Sequence, residues 1–86
     1  MSEPDVFQIT GLYLGGKMAQ ADLRLWLISH LEWIDGEAPS DQRELALTAQ
    51  QLDFLVQDGE MTEAAFRDAL RREYRSAGKR RASPVP

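Results

Sequence analysis

The segment from Ser40 to Gln57 reads as a helix with apolar residues on two sides, and a helix in a chain this short normally has a single core to face. Leu45, Ala49, Leu52, Leu55 and Val56 fall on one flank at helical spacing, while Leu47 and Phe54 fall nearly opposite with Gln50 and Gln51 around them. A second apolar surface is therefore left to be covered, either by the N-terminal segment or by another protein. Size sharpens the question, because at 86 residues the chain is one small domain. Folding at that length hides only roughly 60 to 68 per cent of the unfolded surface.

Composition excludes several classes of activity. The chain has no cysteine, so disulfides, thiolate metal sites and thiol nucleophiles are absent, and a reducing, cytoplasmic setting is the simplest expectation. The longest unbroken apolar run, Leu25 to Ile28, is far short of the ~20 residues of a membrane helix, and the acidic start carries no signal-peptide pattern. A soluble protein without membrane contact is expected. The net charge of −4 conceals an asymmetry: all fourteen acids lie in residues 1–74, and residues 75–86 hold Arg75, Lys79, Arg80 and Arg81 with no acid. An acidic body repels phosphate, so nucleic acid is open only to the basic end of the chain.

The expected fold is mainly α, a three-helix domain over residues 6–76 with an N-terminal β-hairpin or extended arm and a disordered basic tail at 77–86. Residues 1–5 read as a frayed end. Between Val6 and Gly15, period two about Thr10-Gly11 places Phe7, Ile9, Leu12 and Leu14 on one face of a hairpin, with an extended arm as the rival. Gly15-Gly16 breaks the chain, and a helix over 18–34 comes next, with Leu23, Leu27, Leu31 and Ile34 as its stripe, Trp26, His30 and Trp33 along a border, and Leu25 and Ile28 set apart. The second helix spans 40–57, with Ser40 as N-cap and Asp41 and Glu44 in its first turn. The last spans 62–76: Met61, Thr62 and Phe66 have the spacing of a hydrophobic staple about an N-cap, and Gly78 is placed to end it. The last two helices should form an antiparallel hairpin.

The stretch from Leu52 through Gly59, Met61, Thr62, Glu63, Phe66 and Leu70, about a fifth of the chain, resembles the short helical hairpins called SHOCT domains. That resemblance implies oligomerisation. The pattern is also that of any capped helix after a tight turn, and the chain is not assigned to the family on it.

No constellation for catalysis emerges. His30, the lone histidine, has no carboxylate facing it, since Glu32 at i+2 points elsewhere, and with Trp26 and Trp33 nearby it reads as a half-buried interfacial imidazole or a pH-sensitive contact. A calcium loop centred on Gly59 would need Phe54, Val56 and Ala65 as ligands, so that register fails. Gly15-Gly16-Lys17 lacks the spacing and the succeeding hydroxyl of a phosphate loop, and Ser29 and Ser40 have no triad companions. The expectation is a non-enzyme without metal or cofactor.

What remains is recognition. The expected function is a small protein–protein interaction protein, a self-associating subunit or accessory factor of a larger bacterial or phage assembly. Its contacts would come from Leu47 and Phe54, with Trp33 and Leu25 contributing. The alternative is a nucleic-acid-associated regulator using Arg71, Arg72, Arg75, Lys79, Arg80 and Arg81.

Overall fold

The computed structural model describes residues 4–82, and the side chains of residues 80–82 are not among those described. Five helices and no strand are found among the described residues: α1 (Val6–Leu14), α2 (Gln20–Ser29), α3 (Leu31–Gly36), α4 (Ser40–Gln57) and α5 (Glu63–Ala82). None is long and apolar enough to cross a membrane.

The expected β-hairpin or extended arm is instead a helix. Asp5 accepts hydrogen bonds from the amides of Phe7 and Gln8, closing the first turn of α1. The residues this helix buries, Val6, Phe7, Thr10 and Tyr13, recur at helical spacing. The segment fits either period, and the choice is made by what the helix meets. Its Gly11, read from sequence as a turn residue, lies flush against α5: a Cβ there would sit 3.2 Å from the Tyr74 hydroxyl.

The expected helix over 18–34 is broken at His30. The His30 amide turns back to the Leu27 carbonyl at 3.2 Å, and its ring Nδ1 lies 2.8 Å from the Trp26 carbonyl, the acceptor that a continuous helix would give the amide. The imidazole also stacks on the Trp26 indole, with centroids 4.1 Å apart. The break changes the helical phase of α3 relative to α2. Leu31, assigned to the buried stripe, is exposed, whereas Ile34 is in the core.

Helix α4 has the expected bounds, but Pro39 occupies the cap position and Ser40 is already helical, with no side-chain cap. The connector to α5 turns through Gly59 at φ 78°, and Thr62 caps α5 by accepting from the Ala65 amide at 3.1 Å. Helix α5 does not stop at Gly78. Ala77 is fully buried, and the cations beyond it suit the negative end of a helix, so residues 77–82 continue it; residues 83–86 of the expected tail lie outside the described residues.

The core is a hairpin of α4 and α5 with α1 laid along it. Leu45, Ala46 and Ala49 of α4 meet Phe66, Leu70 and Ala77 of α5, and the alanines let the helices approach closely. Phe7 packs on Tyr74, and Tyr13 meets Phe66 edge-on at 5.6 Å, so α1 runs antiparallel to α5. The Val6 amide donates to Gln42 Oε1, fixing the start of α1 beside the start of α4. Helices α2 and α3 pack on another flank of α4 with Leu23, Leu27 and Ile34, and Arg43 ties α3 down by donating to the Ile34 and Ala38 carbonyls.

Candidate partner-binding face

With α1 occupying the α4–α5 groove, none of the described N-terminal residues covers the opposite side of α4, where Phe54 and Leu47 are exposed. Phe54 is 67% exposed, Leu25 61%, Ile28 56%, Leu31 45% and Leu47 40%. Helical spacing sets Glu44, Leu47, Gln51, Phe54 and Asp58 in one row along α4, and all five are exposed. On α2, Leu25 and Ile28, one turn apart, are the large exposed apolar residues. Between the two helices runs a groove of about 240 Å³, walled by Ile28 and Leu31 on one side and Phe54 on the other, with Leu27 at its base. Gln50 also lines it, and its buried amide nitrogen has no acceptor among the described residues.

A polar cluster fixes the width of this groove. Asp53, which is buried, accepts from Arg24 Nε at 2.9 and 3.1 Å, from Gln20 Nε2 at 3.1 Å and from Gln57 Nε2 at 2.6 Å. Burial alone would raise the Asp53 carboxyl's pKa, but the bonds from Arg24, Gln20 and Gln57 outweigh it and hold the group below the usual carboxylate range. The same contact raises the Arg24 guanidinium further. Asp53 thus ties α2 to α4 at the point where Phe54 turns outward.

Of the residues singled out from sequence, Phe54 lines the groove, Leu47 lies two turns along the same row, and Leu25 lies one turn from Ile28. Trp33 is half-buried and packed against the core. Ile28 and Leu31 were not among the predicted contacts, although the separation of Leu25 and Ile28 from the main stripe carried that signal for Ile28. Asp53 was also missed. Its spacing of four from Ala49 and eight from Leu45 puts a carboxylate on a core stripe, which demands a partner.

The cations lie elsewhere, on α5. Arg72, Arg75 and Lys79 are exposed at i, i+3 and i+7 on one row, and Arg71 sits 3.8 Å from Asp68. The side chains of Arg80 and Arg81 lie outside those described. Among the described residues no group of three or more His, Asp or Glu side chains is arranged to hold a metal ion.

No protein family model, curated protein or solved structure matches the chain.

Proposed function

We propose that this chain is a small non-catalytic interaction protein of the cytoplasm, a subunit or accessory factor of a larger assembly, that binds a protein partner through the outer face of α2 and α4. The observation that carries this reading is the exposure of Phe54, Ile28 and Leu31 around one groove while α1 fills the other side of α4. Apolar side chains scattered singly are ordinary surface, but Ile28, Leu31 and Phe54 line one groove and exclude water only when covered. Phe54 is the anchor, and Leu47 and Leu25 extend the contact along its rows. Phe54→Asp is expected to preserve helical content by circular dichroism while lowering the sedimenting mass or the recovery of a co-purifying partner. Unfolding of a strictly monomeric protein by the same change would place Phe54 in the core and overturn the reading.

A second reading is favoured by one observation, the continuation of α5 past Gly78, which draws Arg71, Arg72, Arg75, Lys79, Arg80 and Arg81 onto one helix. Such a helix would hold phosphate. Binding of this kind weakens steeply between low and moderate salt, whereas apolar docking does not.

A further inference from the structure

The groove between α2 and α4 is lined by apolar side chains and the paired Arg24 and Asp53, and acids stand beyond its ends. Its apolar row on α4 ends in exposed Asp58, one turn beyond Phe54, and exposed Glu32 stands beside Leu31. The two arginines of this region are both engaged: Arg24 on Asp53, and Arg43 on the Ile34 and Ala38 carbonyls. Residues 20–58 hold eight acids and two bases, whereas α5 holds three acids and seven bases. Asp58 also occupies the C-cap of α4, where the helix dipole is already negative, and α4 has no basic residue in its last turn. A cation is what this helix end lacks.

We infer that the occupant of the groove is a cationic amphipathic helix of a partner protein, laying its apolar face on Phe54, Ile28 and Leu31 and setting Lys or Arg against Asp58 and Glu32. This rests on the reading of that face as a docking surface and adds the chemistry of what docks. The exposed row from Glu44 to Asp58 spans fourteen steps, about 21 Å of helix, which suits three to four turns of a bound helix. A second copy docked face to face would bring two acidic rims together, and like charge across an interface opposes association. The basic end of α5 from another copy matches in charge, but its apolar residues Leu70, Tyr74 and Ala77 are already engaged in its own core.

The test uses the full chain and two labelled synthetic peptides of about 18 residues, long enough to be helical when bound, with leucines at i, i+3, i+4 and i+7 and either Lys or Glu on the remaining face. Fluorescence anisotropy should show the Lys peptide binding at least about tenfold more tightly than its Glu twin. Phe54→Ser should weaken it by about tenfold or more with helical content intact, and Asp58→Asn combined with Glu32→Gln should shrink the preference severalfold. Equal binding of both peptides would overturn the charge assignment while leaving apolar docking in place. Undiminished binding to Phe54→Ser would reduce the effect to diffuse attraction and overturn the inference. Binding of neither peptide, with a dimer that Phe54→Asp dissolves, would make the occupant a second copy. Binding of neither, with a monomer at all concentrations, would overturn the docking surface itself.

Discussion

Asp53 shows how one side chain can decide the geometry of a face it does not itself display. It is a buried carboxylate on the core stripe of Leu45 and Ala49, and it stays charged because Arg24, Gln20 and Gln57 supply its hydrogen bonds. Removing it leaves Arg24 without its acceptor and α2 without its tie, and Asp53→Ala should lower the unfolding free energy by about 2 kcal/mol in a urea titration. Its pH dependence is set by the lowered pKa. The folded carboxyl ionises below the unfolded value of about 3.9, so its contribution is complete above that value and fades as pH falls through the folded pKa. The stability gap between the native chain and Asp53→Asn should accordingly close on acidification below about pH 4, and a gap that widened there would contradict the arrangement.

At the scale of elements, the departures from the sequence reading have local physical causes. Helix α4 and the cap of α5 were legible because their signals are redundant: apolar spacing, Thr62 and the Asp58-Gly59 turn agree. The segment from Val6 to Gly15 satisfies both period two and the helical period, and the arbiter is tertiary, the flat side of Gly11 against Tyr74. The break at His30 is likewise invisible to apolar spacing, since it rests on a ring nitrogen taking a backbone acceptor. Gly78 misleads in the opposite sense, because burial of Ala77 carries α5 through a residue that often ends helices. The close approach gives a prediction for α1: Gly11→Leu should force α1 off α5 and cost about 2 kcal/mol, read as a lowered urea midpoint with an unchanged m-value. A neutral Gly11→Leu would contradict so close an approach of Gly11 to Tyr74.

For the whole molecule, the distribution of burial and charge gives the chain two unlike sides. One side is closed: α1 completes the α4–α5 hairpin, and its aromatic contacts seal Phe66 and Tyr74. The other is open and acidic, with an apolar groove whose walls are held apart by the Arg24–Asp53 tie. The exposure of Leu47 and Phe54 was legible because they stand opposite the core stripe; the placing of Ile28 and Leu31 across the groove from Phe54 depends on how α2 and α3 are set against α4, which spacing within one helix does not encode. If the open side is surplus to the fold, its anchor can carry a charge without cost to stability. Urea unfolding of Phe54→Asp should therefore give a free energy within about 0.5 kcal/mol of the native chain, as for a surface position. A loss of about 3 kcal/mol or more, the scale of an emptied core site, would show instead that Phe54 holds the fold together.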